Sequence, residues 1–159
     1  VLWDGATEIV KPGAFAGCLS GDIRALIDHD TRLVLGRTKA GTLTLREDAR
    51  GLYGTIKINR DDADAMSLYA RVQRGDVDQC SFGFDIEEET FVDLGGGQCR
   101  WEINKVNPLY EVSVVTYPAY EETAVKARHA DLAEIQRRQA ETWKTKMINR
   151  LTGGDKHGT

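Results

Sequence analysis

Residues 79–84 read "QCSFGF", which sets a cysteine and a serine, both able to act as nucleophiles, side by side in a strand-like run. A serine hydroxyl attacks a carbonyl only when a base takes its proton, and a third group commonly orients that base. The chain has three histidines. His129 and His157 lie in a C-terminal helical pattern and a Gly-rich tail, whereas His29 stands in "RALIDHDTRLVLGRT", between two apolar runs. His29 is therefore the candidate general base, with a plain loop-edge histidine as the alternative. Metal binding by "DHD" is disfavoured, because adjacent residues of an extended chain point to opposite sides and no second His or Cys lies at ligand spacing.

Strand alternation sorts the other candidates. It places Cys80, Phe82 and Phe84 on one face and Ser81, Gly83 and Asp85 on the other. The two rings mark the core face, since burying each contributes about 1.5–3 kcal/mol. Cys80 is then expected to be a small buried hydrophobe. Ser81 is expected to point outward, beside a glycine that leaves room for a substrate backbone, or else to be an ordinary surface serine. In "PLYEVSVVTYP", Tyr110, Val112 and Val114 fall on one side and Leu109, Glu111, Ser113 and Val115 on the other. Glu111 thus shares its face with apolar neighbours, where an unpaired charge is costly. It is expected to support an imidazole, as a triad acid does, or to be an exposed strand glutamate or a partner of Arg71 or Arg74.

The elements that must position these groups are mostly strands. Leu33 and Leu35 begin one, and "GTLTLREDARGLYGTIKIN" alternates on both sides of a polar turn and reads as a hairpin. "DDADAMSLYARVQRG" changes period: Asp61 or Asp62 caps a helix, Ala65, Met66, Tyr69 and Val72 share a face, and Gly75 stops it. Strands resume through "DVDQCSFGFDIEEETFVDL", turn at the "GGG" of 95–97 and continue in "QCRWEINKVN" as a second hairpin. "PLYEVSVVTYP" adds one more strand bounded by Pro108 and Pro118. From about Glu122 a helix is expected, with a thin apolar stripe of Leu132, Ile135, Gln139, Trp143, Met147 and Leu151 suited to a barrel's outside or to a partner helix.

At 159 residues the chain is long enough for one domain with its own core, and 41% hydrophobic against 29% charged residues suits a globular fold. A net charge of −4 supplies no basic field for nucleic acid or anionic membrane. No apolar run is long enough to span a bilayer. The three cysteines, Cys18, Cys80 and Cys99, are odd in number and lack CxxC spacing, which points to a reducing compartment, the cytoplasm by default. The chain starts at Val1 without a signal-peptide pattern and is expected to be a fragment or processed form.

Order and context of the motifs carry a resemblance. "IVKPGAF", "DHD" followed by "LGRT", "GTLTLREDARGLYGTIKI", "RGDVDQCSFGF" and "YEVSVVTYPAY", spread over most of residues 1–127, resemble the prohead maturation proteases of tailed bacteriophages, whose barrel is similar to that of the herpesvirus assembly protease. The specific part is "SFGF" with "EVSVVTYPAY" about thirty residues later. The resemblance implies a mainly β (α+β) fold, a mostly antiparallel β-barrel with peripheral helices. It implies a protease domain over 1–127, with only "VLWDG" standing where the family has a further first strand; the C-terminal helix, 128–152, and the flexible tail, 153–159, expected from the residue pattern, lie outside the match. His29 would be the catalytic histidine, Ser81 the nucleophile and Glu111 the third member. No cofactor or metal is called for. The implied substrates are the scaffold, the capsid protein and the protease itself, inside the assembling prohead in the host cytoplasm, with a homodimer or higher oligomer left open. The rival readings are a non-catalytic capsid-assembly or scaffold-binding module and a β-barrel binding domain unrelated to phage.

Overall fold

Three consecutive glycines, Gly95, Gly96 and Gly97, adopt φ of 77°, 61° and 82°, a left-handed run that only glycine enters without steric cost. They fold the chain back on itself between β6 (Gln79–Gly95) and β7 (Gln98–Val115), a long antiparallel hairpin. The computed structural model describes the backbone of residues 1–118 and 122–152 and the side chains of residues 1–118 and 128–148.

β7 is the spine of the sheet. β6 lies along one edge, so the other edge is left for β1 (Ala6–Val10), parallel to Cys99–Ile103, and β2 (Arg24–Ile27), parallel to Glu111–Val114. β3 (Asp30–Arg37) pairs antiparallel with β2 and completes a five-stranded mixed sheet. β1 and β2 thus run parallel to β7, while β2–β3, β4–β5 and β6–β7 keep the expected antiparallel pairing. The crossover from β1 to β2, which alternation within a strand does not encode, binds β7 through Lys11 N–H to Ile103 O and Val106 N–H to Ala14 O. The expected break at Pro108 is absent: β7 runs through it. Proline is tolerated there because the ladder to β6 shifts register on either side of Leu109, leaving no partner that needs its missing N–H.

β4 (Leu43–Asp48) and β5 (Gly51–Ile56) form the expected hairpin as a separate two-stranded sheet. Among the described residues no ladder joins the two sheets into a closed barrel. The hairpin is tied to the crossover by Glu47, whose carboxylate accepts from the N–H groups of Gly13 (2.8 Å) and Phe15 (3.2 Å). An open apolar groove of about 470 Å³, lined by Val10, Phe15, Leu45, Ile56, Val112 and Val114 among others, separates the hairpin from the large sheet.

Helix α1 (Ala63–Arg74) begins as expected, with Asp62 accepting from Asp64 N–H and Ala65 N–H, and ends at Gly75 in the left-handed conformation. Its buried face differs from the one expected. Ala65 and Leu68 enter the core while Tyr69 and Val72 stay exposed, because the stripe is a residue off the one the apolar spacing suggests. They join Phe15, Ile23, Ala25, Leu35, Ile103, Val106 and Leu109 in one core cluster. Trp101, also fully buried, is met edge-on by Trp3 and Phe91.

Residues Val1–Ala119 form one compact unit and Tyr120–Thr159 another. Within the second, α2 (Glu122–Thr152) carries Glu134 between Arg137 and Arg138, whose guanidinium hydrogen bonds hold its carboxyl at a pKa of about 2. Along the expected stripe Leu132 and Ile135 are half-buried, while Gln139, Trp143 and Met147 are exposed; the side chain of Leu151 and the tail 153–159 lie outside the described residues. No described helix is long and apolar enough to cross a membrane.

Ile103→Ala, at a site with no solvent exposure, is expected to cost about 2–5 kcal/mol, read as a lower urea midpoint. A loss within the surface range of about 0.5 kcal/mol would contradict the core assignment.

Candidate active site

His29 sits in a two-residue turn. Ile27 of β2 pairs with Asp30 of β3, and the residues between, Asp28 and His29, have φ of 47° and 60°. Two left-handed residues in succession suit the twist of a tight hairpin, but the usual occupants are Asn-Gly or Asp-Gly. A non-glycine residue held in this region costs about 1–3 kcal/mol. Three hydrogen bonds to the C-terminal end of β7 offset it: Asp28 N–H to Val114 O (3.0 Å), Thr116 N–H to Asp28 Oδ1 (2.9 Å) and His29 N–H to Ser113 Oγ (3.2 Å). At about 0.5–1.5 kcal/mol net each, they match the strain in order of magnitude.

The turn delivers the imidazole to Glu111. His29 Nδ1 and Glu111 Oε1 are 2.7 Å apart, the carboxylate being largely covered, with 13% of its side chain exposed. Against an ionised carboxylate, which only accepts hydrogen bonds, Nδ1 is the donor, and in a neutral ring the lone pair then lies on Nε2. Nε2 is buried and has no hydrogen-bond partner among the described residues. Buried polar atoms left so are uncommon, and a catalytic role is one of their causes.

The other carboxylates near the turn are engaged elsewhere. Asp28 caps Thr116 N–H, and Asp30 is forked to Arg32, whose guanidinium and backbone N–H hold its carboxyl at a pKa of about 2. Asp85 accepts from the Tyr110 hydroxyl at 2.5 Å, which raises the tyrosine pKa. Arg74 pairs with Asp76, so the alternative of a Glu111–Arg74 pair is not realised.

Ser81 lies on the same face of the sheet. In the β6–β7 ladder it stands opposite Ser113, and Gly83 stands opposite Glu111. Directly opposed residues have Cβ atoms about 4.5–5.5 Å apart, so Ser81 is one strand away from the serine that touches His29. No hydrogen bond joins Ser81 Oγ to His29 Nε2. Ser81 is half-buried, on the face opposite Phe82.

Cys80 reverses the expectation: it is exposed. The core face is the one that carries Phe82, which meets Phe15 edge-on, but Cys80 lies where that face opens into the groove beside β4 and β5. Gly83 also has a different use from the one its spacing suggests. A Cβ there would lie 2.6 Å from Glu111 Oε1, so the glycine makes room for the carboxylate. Ser113 was given no role by the sequence, although its position two residues from Glu111 on one strand puts both on one face. It is buried, and its hydroxyl donates to Glu111 Oε2 while accepting from His29 N–H.

Gly83→Ala tests this packing. The clash falls on the far end of a flexible side chain, so the urea midpoint is expected to stay within about 1 kcal/mol of wild type, as for a change that leaves the fold intact. The His29 imidazole NMR signals should shift as the carboxylate is displaced; unchanged signals would show that Glu111 does not hold the ring.

Comparison with known proteins identifies the family of the chain. The family model of the caudovirus prohead serine proteases matches residues 1–138, which extends beyond residue 127 into α2. The prohead protease of Enterobacteria phage HK97 is 28% identical over 144 residues, covering 88% of this chain and 61% of that protein. The chain thus spans 61% of the length of this curated relative. No solved structure matches it. Since the family model covers most of its length, the chain belongs to the caudovirus prohead serine protease family.

Proposed function

We propose that the chain is a serine endopeptidase of prohead maturation, with Ser81 as nucleophile, His29 as general base and Glu111 as the acid that orients and charge-stabilises the imidazole. The observation that carries the reading is the 2.7 Å contact between Glu111 and Nδ1, which leaves Nε2 buried and without a partner among the described residues, on the face that also bears Ser81. Nε2 accepts the Ser81 proton as Oγ attacks a peptide carbonyl carbon, giving a tetrahedral intermediate. The imidazolium, opposed by Glu111, then protonates the leaving amine, and a water activated by the same nitrogen releases the acyl group. Closing the Ser81–His29 gap falls to substrate binding, as catalytic hydrogen bonds in free enzymes are often long.

In this reading the five-stranded sheet and the β4–β5 hairpin wrap the core as an incomplete barrel of the herpesvirus-protease kind. The substrates are the scaffold, the capsid protein and the chain itself, cleaved inside the assembling prohead in the host cytoplasm. The missing Ser81–His29 hydrogen bond is the one observation that favours a non-catalytic assembly module instead, and labelling decides between the two. A serine-reactive fluorophosphonate is expected to modify Ser81, mapped by mass spectrometry, and Ser81→Ala should abolish both labelling and cleavage of a peptide spanning the scaffold–capsid junction. Cys80→Ala should keep both. Loss of activity in Cys80→Ala with retention in Ser81→Ala would overturn the nucleophile.

For Glu111→Gln, turnover is expected to fall steeply, by up to about 10⁴-fold, as when a triad acid is neutralised. Were Glu111 only an ion-pair partner, the change would shift stability by about 0–1 kcal/mol and leave turnover intact.

A further inference from the structure

We propose that Ser113 is a positioning residue that locks the Glu111 carboxylate and the His29 turn into one unit; this rests on the reading of His29 and Glu111 as base and acid. A serine hydroxyl has one hydrogen to donate and two lone pairs to accept with. Ser113 uses the hydrogen on Glu111 Oε2 and accepts from the backbone N–H of His29 at 3.2 Å. It therefore touches both the acid and the backbone of the base, and ties one carboxylate oxygen so that the other, Oε1, faces Nδ1.

Each neighbour restricts the alternatives. Gly83 lies against Glu111 Oε1 from β6, at the spacing where a Cβ would collide. On the other side Leu26 of β2 pairs with Ser113, and both are 3% exposed, so water cannot readily replace the hydroxyl. The His29 amide has particular need of its acceptor, because it belongs to a turn with φ of 47° and 60° whose other bonds to the backbone of β7 and Thr116 are made by Asp28. Ser113 is buried whereas Ser81 is half-buried, which distinguishes the two serines across the ladder.

The first test needs no substitution. In the wild-type chain the His29 amide should exchange with solvent far more slowly than an exposed turn amide; exchange at the intrinsic rate would overturn the proposal. Ser113→Ala is expected to broaden or shift the downfield Nδ1–H proton resonance of His29. It should also lower kcat by about 10²-fold, the cost of a 1 Å misplacement, with KM near its wild-type value. Ser113→Thr, which keeps the hydroxyl and suits a strand, should restore both. An unchanged resonance and kcat in Ser113→Ala would show that the side chain merely fills space. Exchange and NMR do not depend on turnover, so they report on Ser113 even if fluorophosphonate fails to label Ser81, an outcome that counts against the protease reading alone.

Discussion

The site depends on a strained turn being held from outside itself. Asp28 and His29 occupy left-handed backbone conformations that their side chains disfavour, and the Ile27–Asp30 pair that closes their turn is reinforced by bonds from a third strand. The restraint comes from residues 113–116, at the end of a strand that is parallel to β2. The parallel register of Ile27 with Val114 is what brings the turn over Ser113 and Glu111. A slip of one residue would turn every side chain of β2 to the other face and carry the imidazole away from its acid.

The same register keeps chemistry and core apart. On one face of the β6, β7 and β2 strands stand Ser81, Gly83, Glu111, Ser113 and Arg24; on the other stand Phe82, Val112, Val114, Ala25 and Ile27, which pack on or within the core cluster. A carboxylate that must be shielded enough to bind an imidazole closely, yet not isolated in an apolar interior, finds that condition at a sheet face covered by a turn. Its two oxygens are bound by one ring nitrogen and one hydroxyl, which is how a largely covered charge avoids the penalty of standing alone. By contrast, ion pairs such as Arg46–Asp48 and Arg74–Asp76 are solvated and contribute little.

Much of this was legible in the residues themselves. Period-2 alternation separates Ser81 from Phe82 and Glu111 from Val112, turn glycines mark the β6–β7 hairpin, and Asp62 with Gly75 delimits α1, because each of these signals acts within a few residues. They set Ser81 and Glu111 apart from the core-facing residues, while the catalytic roles of His29, Ser81 and Glu111 came from the family resemblance. What they lacked was the pairing. His29 and Glu111 are 82 positions apart, and no local pattern states that β1 and β2 run parallel to β7. Only that arrangement gives Ser113 its two bonds, makes Gly83 a cradle for a carboxylate and leaves Cys80 at an open groove. Alternation fixes which side of a strand a residue faces; what lies on that side is decided by the strand beside it, and so by tertiary structure.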